Sequence, residues 1–305
     1  MCEKTDSLSV IDISESGIRN DLPDILDLLL IDRTNSTVDV KVNIIWGNDN
    51  YSDIGVYYKS SSQIKKELIT GDMEGIIIPR ALKSKKDQKI RTKTKAEVFT
   101  PTWVVKKQND EVDNSYREDD IEVYIKRTWL EIACGEAPYM ASRYNMETGN
   151  IIPLVDRVGF VDRKLKRINL EIDNKVEWAR LVEEAYKASY GFEWNGDSLL
   201  LARENLLYTY VDYYIDKWSN PPEYDSLRNI ANILSYNVFQ MDGLKYIIPL
   251  SDKKEVFFPE QITLDLFQDS YKKEKKGKVS NERGQRVKIM NWKAGRLEFF
   301  DKGVE

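Results

Sequence analysis

A chain of 305 residues, 41% hydrophobic and 32% charged, can bury a full core as one large domain or two modest ones. It has no histidine and two cysteines, which removes Ser-His-Asp and Cys-His nucleophiles, histidine-ligated zinc, a four-cysteine zinc site and a disulfide framework; carboxylates, Lys, Tyr or a bound cofactor are left to carry any chemistry. A net charge of −5, no apolar run of membrane-spanning length and the polar opening MCEKTDSLSV describe a soluble cytoplasmic protein, and argue against a wholesale polyanion binder.

In chain order, NDLPDILDLLLID (20–32) reads as a capped helix with Pro23 in its first turn. VDVKVNIIW (38–46) alternates as a strand does, and SSQIKKELITG (61–71) gives a short helix stopped at Gly71. These elements make an N-terminal segment of mixed structure, 1–94. It closes in RALKSKKDQKIRTKTK (80–95), with eight basic residues and one acidic. There and in a second basic stretch, YKKEKKGKVSNERGQR (271–286), a solvated face or tether is the ordinary reading and phosphate contact the sharper one.

AEVFTPTWVV (96–105) follows, and after an acidic connector RTWLEIACGEAPYMASRY (127–144). In the latter an apolar strand enters a tight Gly-containing turn and then residues that can open a helix, the arrangement that cradles a nucleotide-like ligand at a helix N-terminus. DNKVEWARLVEEAYKASYG (173–191) is an amphipathic helix with Asp173 as cap and Gly191 as stop. GFEW (191–194) is a short strand ending in an acid, placed as the ribose-binding acid of an α/β nucleotide fold is, and DSLLLARENLLYTYVDYYIDKWS (197–219) is a long helix. Its tyrosines 208, 210, 213 and 214 occupy more than one face, which favours core over a base-stacking platform.

EVFTP, LEIACGEAPY and YGFEWNGDSLLLARENLL resemble successive motifs of the adenine-N6 DNA methyltransferases of restriction-modification systems, and more narrowly the small proteins called restriction endonuclease subunit M. The narrower resemblance runs from DILDLLLIDR through FQMDGL to VKIMNW. It implies a class I S-adenosylmethionine-dependent methyltransferase fold, a mostly parallel Rossmann-like α/β sheet with helices on both faces over 95–305, behind an N-terminal α+β extension. Phe99, Thr100 and Pro101 then match the segment at the methionine end of the cofactor. Glu131, Ala133, Cys134 and Gly135 match the first-strand motif, Glu193 the ribose-binding acid, Trp194 a cover for the adenine ring and Asp242 the acceptor of the adenine amine.

The first motif departs from the family's Asp-Pro-Ala-Cys-Gly-Ser-Gly pattern at Glu131, Ile132, Glu136 and Ala137. Ala137 in place of Gly requires a backbone without positive φ there, and Glu136 adds a carboxylate that needs a partner. The catalytic Asn-Pro-Pro-aromatic is a larger departure. Asn220 in KWSNPPEYDS follows helical sequence, Glu223 stands where the aromatic belongs, and Pro221 and Pro222 stop one helix and space a second for which Asp225 or Ser226 is the natural cap, so the turn reading is preferred. Asn237 and Asn291 with Trp292 are alternative base-binding candidates, although RVKIMNW-KAG-RLEFFD reads better as a hairpin.

The function this implies is DNA adenine methylation with S-adenosylmethionine, in a restriction-modification or phage system, with Lys83, Lys85, Lys86, Lys89, Arg91 and Lys93 on the DNA backbone and a restriction or specificity subunit as a further partner. The alternative is a catalytically inactive scaffold that binds DNA or a partner. A minor alternative, a metal-dependent nuclease, rests on Asp156, Asp173 and Lys175, although Asp173 at a helix cap explains that pattern without metal.

Overall fold

The apolar runs WLE, SYGFE and VFQ become three parallel strands, β1 (Trp129–Glu131), β2 (Ser189–Glu193) and β3 (Val238–Gln240), in spatial order β1-β2-β3. Register is set by Leu130 opposite Tyr190 and by Phe192 opposite Phe239. This is a computed structural model that describes residues 16–84, 100–252 and 283–302.

Long crossovers join the strands, as parallel pairing requires. Between β1 and β2 lie helices α5 (Phe160–Glu171) and α6 (Lys175–Lys187), and between β2 and β3 lie α7 (Gly196–Trp218) and α8 (Tyr224–Asn237). Earlier in the chain come α1 (Ser16–Asp21), α2 (Pro23–Leu30), α3 (Thr102–Asp113) and α4 (Ile121–Ile125). No helix among the described residues is long and apolar enough to cross a membrane.

Helix α7 is the axis of the core. Most of it is buried, including the polar Asp197, Arg203, Glu204, Asn205, Thr209 and Asp212, so each buried polar group there needs an internal partner. Glu204 and Arg19 of α1 form an ion pair at 2.7 Å with both side chains fully buried. Asp212 takes Arg157 at 2.7 Å and Arg143 at 3.2 Å. Tyr210, Tyr213 and Tyr214 are buried, Tyr210 and Tyr214 against Trp178, so this aromatic run is core. Residues Ile18, Ile25 and Trp46 join the same apolar cluster as these helices. The sequence boundary at 94 falls outside the described residues.

The two faces of the sheet are finished differently. Gly191 faces Cys134 and Met140, and Val238 joins the helical core. On the opposite face Phe192, Phe239 and Met241 pack with Ile248 and Val287, beneath an antiparallel hairpin of β4 (Lys288–Asn291) and β5 (Arg296–Phe299). Helices were expected on both faces; the hairpin covers the second one because Phe300 and Ile289 supply the apolar surface. The hairpin itself was expected, with Gly295 in its turn at φ +66°.

Other expectations needed correction. Residues 38–46 make isolated bridges, Ile31 to Asn43 and Ile45 to Gln63, instead of a strand. Residues 61–71 hold a 3-10 turn at Lys66–Leu68 in place of the expected helix, the Ile64 amide going to the Ile44 carbonyl at 2.8 Å, and Gly71 begins a second 3-10 turn, Gly71–Ile76, instead of stopping a helix. Asn174, not Asp173, caps α6, accepting from Val176 and Glu177, and Gly191 lies inside β2 rather than stopping the helix. Helix α8 starts at Tyr224 with no side-chain cap from Asp225 or Ser226.

Candidate functional site

The carboxyl ends of the three strands gather most of the described residues that the sequence singled out. Glu131 ends β1 and Glu193 ends β2, and the turn after β1 is tied to β2 twice: the Cys134 amide donates to the Phe192 carbonyl at 2.9 Å, and the Gly135 amide donates to Glu193 Oε2 at 2.9 Å. Glu193 Oε1 also accepts from the Asn195 amide at 3.0 Å and its side-chain nitrogen at 3.1 Å. With three of its roughly four acceptor positions filled and the side chain buried, Glu193 acts first as a clamp on the turn. Burial raises its carboxyl above the usual range, against the Asn195 and Gly135 amides.

Glu131 is likewise turned inward. Its oxygens accept from the amides of Tyr139 at 3.2 Å and Met140 at 2.9 Å. Burial pushes this carboxyl up to about 8, opposed by those two amides and reinforced by the charge of Glu193. Cys134 sits between the two acids' charges, and burial raises its thiol well above the ordinary value, so it is an unreactive core residue.

The turn is strained. Ala133, Gly135 and Ala137 have φ of 49°, 55° and 61°, and a left-handed non-glycine residue costs about 1–2 kcal/mol. Ala137 thus adopts the positive φ that its substitution for Gly was expected to exclude. These residues also stop a helix from opening on the turn; the next α-helix begins only at Phe160. The expected strand-turn-helix cradle is therefore absent, and the amides that would point at a ligand are held by Glu131 instead.

Glu136 finds its partners inside the protein: the Arg80 amide at 2.8 Å and the Tyr144 hydroxyl at 2.5 Å. Burial raises its carboxyl, while Lys83 is among the groups that lower it. Thr100 bonds the side chain of Tyr139, whose amide donates to Glu131, so the segment carrying Thr100 and Pro101 does reach the β1 turn. Pro101 caps α3. Phe99, Lys85, Lys86, Lys89, Arg91 and Lys93 lie outside the described residues.

What covers β2 and β3 has no signature in the sequence. Residues 45–48 lie over their carboxyl ends: the Gln240 amide side chain bonds both the Ile45 carbonyl and the Trp194 carbonyl at 2.8 Å, and the Trp194 indole donates to the Gly47 carbonyl at 2.6 Å. A Cβ at Gly196 would stand 2.0 Å from the Ile45 carbonyl oxygen and one at Gly47 would stand 2.5 Å from that of Trp194, so both glycines are required by this close approach. Asp242 lies beside this edge, with Oδ1 accepting from Leu244 at 2.9 Å and Lys245 at 3.2 Å in its own turn.

The base-binding candidates lie elsewhere. The exposed Asn220 donates to the Trp218 carbonyl at 2.9 Å in the turn between α7 and α8, behind Ser219 at φ 56°, so the turn reading holds. Asn237 is fully buried at the amino end of β3, donating to the carbonyls of Tyr186, Lys187 and Ser189 and accepting from the Trp292 indole at 2.8 Å. Asn291 closes the hairpin turn by accepting from Ala294 at 2.9 Å. Neither these asparagines nor Trp292 joins the carboxyl edge, because each is fixed by structural bonds at the other end of the sheet. Asp173 and Lys175 diverge, toward Lys217 at 2.8 Å and Glu223 at 3.8 Å, and Asp156 ends a separate 3-10 turn.

Comparison with protein-family models, with curated proteins and with solved structures gives no match.

Proposed function

We propose that the chain is the cofactor half of a DNA adenine methyltransferase-like protein: it binds S-adenosylmethionine at the carboxyl ends of β1 and β2 and has no base-binding Asn of its own among the described residues. The observation that carries the reading is the junction of the Gly135 turn with the acid ending the neighbouring parallel strand, at 2.9 Å, in a sheet of order β1-β2-β3. That order is one half of a doubly wound nucleotide-binding sheet, in which ligands bind outside the carboxyl ends of the strands. In this reading Gly135 and Ala133 lie beneath the sugar, Glu193 supplies the charge near the ribose, Trp194 borders the base, and Thr100 and Pro101 approach the methionine end. The basic run from Lys83 to Lys93 contacts DNA phosphates.

A second reading, a methyltransferase-like scaffold that binds a partner or DNA without cofactor, is favoured by the inward commitment of Glu193 and Glu131. Calorimetric titration of the full chain with S-adenosylmethionine separates them. The first reading expects saturable binding that Glu193→Gln weakens about tenfold or more, the scale of a charged hydrogen bond. Absence of binding by a folded wild-type protein leaves the scaffold. Retention on a short DNA duplex that does not fall between low and moderate salt would remove the phosphate-contact role of the basic run.

A further inference from the structure

Asp162, in the first turn of α5, uses only one of its two carboxylate oxygens. Oδ2 accepts from the Ser142 amide at 2.8 Å, the Gly159 amide at 3.2 Å and the Ser142 hydroxyl at 3.3 Å. Oδ1 has no hydrogen-bond partner, although the residue is 0% exposed. Helix α7 supplies a second such atom, the hydroxyl of Tyr213, a residue 1% exposed. A third is Nη1 of the buried Arg157, which lies 2.7 Å from Asp212 Oδ2 as an ion pair but without the alignment of a hydrogen bond. Buried polar atoms are ordinarily paired, with protein or with ordered water.

The three belong to one place. Arg157 stands two residues before Gly159, whose amide Asp162 holds, and its guanidinium rests on Asp212, the neighbour of Tyr213 in α7. The electrostatics agree. Burial raises the Asp162 carboxyl, and Arg157 leads the groups that lower it; burial raises the Tyr213 hydroxyl, and Asp162 leads the charges that add to this. Yet no two of the three atoms bond each other directly, the situation in which a bridging molecule is to be sought. Its chemistry follows from the surroundings. Arg143 and Arg157 lie with Asp212 and Asp162, two cations with two anions, which favours neither a metal ion nor an anion. No cluster of metal-ligating side chains occurs among the described residues. A small neutral molecule that accepts from Arg157 and Tyr213 and donates to Asp162 fits, and about three hydrogen bonds are the usual complement of a buried water.

We propose that a water molecule is bound between Asp162 Oδ1, the Tyr213 hydroxyl and Arg157 Nη1 as a fixed part of the fold. Ser142 links this site to the β1 turn, since Met140, two residues before it, gives its amide to Glu131. The water thereby fastens the far end of that turn to α5 and α7. The site is closed off from the carboxyl edge of the sheet by its burial, so the proposal does not depend on S-adenosylmethionine binding.

The test is a crystal structure of the full chain at a resolution that shows ordered solvent, for the wild type and for Tyr213→Phe. In the wild type a water peak is expected within about 2.5–3.2 Å of both Asp162 Oδ1 and the Tyr213 hydroxyl. In Tyr213→Phe the same peak is expected to remain on Asp162 and Arg157. In solution the counterpart is a negative water NOE to the ring protons of residue 213 in ring-labelled protein, the sign of a long-held water. It is expected in both proteins, because Tyr213→Phe removes the hydroxyl proton that could relay such a signal by exchange. The proposal is overturned by a Tyr213 hydroxyl bonded directly to Asp162 or to another protein acceptor with no water peak, or by a peak that refines as a metal ion. It is equally overturned by loss of the NOE in a folded Tyr213→Phe protein.

Discussion

At the carboxyl ends of β1 and β2 the buried polar groups are acids that collect backbone amides: Glu131 takes those of Tyr139 and Met140, and Glu193 takes those of Gly135 and Asn195. At the amino ends they are donors aimed at carbonyls. Lys164 reaches the Arg127 carbonyl at 2.8 Å, Asn237 covers the last carbonyls of α6, and Arg203 bonds the carbonyls of Val238, Leu29, Ile31 and Ser235. The difference follows from chain direction. Helices α6 and α8 run out at Lys187 and Asn237, just before β2 and β3, and leave orphan carbonyls there, whereas the chain leaves the strands through turns whose amides are unpaired. Apart from the Ile45 and Trp194 carbonyls, which Gln240 covers beside the acid end, each end is completed by the side chain whose hydrogen-bonding sense its backbone lacks.

The largest effect is expected at the amino end. Arg203→Met keeps the length of the stem but strands four buried carbonyls, and should lower the unfolding free energy by about 3–4 kcal/mol in urea titration. Losing much less would mean that water or another donor replaces the guanidinium, and that the donor end is less tightly specified than the acid end.

Next in size are two pH dependences of opposite sign. Burial lifts the folded Glu131 pKa to about 8 from an ordinary 4.5, so the folded state holds a proton that the unfolded chain has lost across that window, and stability falls as pH rises through it. One such proton sets a slope of about 1.4 kcal/mol per pH unit; Glu131→Gln should reduce the fall between pH 5 and 8 by up to that amount for each pH unit. Burial lowers the folded Lys164 pKa to about 7 from 10.5, so there the unfolded chain binds the extra proton and stability drops as pH falls from 10.5 toward 7. Lys164→Met should flatten that limb. Unfolding midpoints measured across pH for both variants check the pair, and slopes of the same sign would break the comparison.

The smallest effect lies in the turn itself. Ala133 is exposed at φ 49°, so Ala133→Gly relieves left-handed strain with little packing to lose and should raise stability by about 0.5–1 kcal/mol. At Ala137, which is fully buried, the same change also removes a packed methyl and should gain less.

Much of this architecture is written in local signals. TWLEIA and GFEW carry β1 and the end of β2, the amphipathic pattern within 173–191 carries α6 although its cap was placed one residue early, and the two prolines after Asn220 mark the end of α7. The misread stretches have non-local causes. Residues 38–46 alternate because Ile44 and Trp46 are buried, yet their amides go to Leu30 and Ser62 instead of a regular ladder. An acid at a strand end has the same sequence whether it faces a ligand or folds back onto its own turn. For Glu131 and Glu193 the choice is set by residues 135–140 and 195, whose backbone conformation the sequence does not state. Gly47 and Gly196 are ordinary glycines until Ile45 and Trp194 are brought against them.

The most direct measurement is amide hydrogen exchange of the full chain with and without saturating S-adenosylmethionine. Added protection confined to residues 131–137 and 193–195, with none around 186–189 and 237, is the expected result and puts the cofactor at the acid-lined end of the sheet. No change at 131–137, or protection at the donor-lined end, would contradict that assignment.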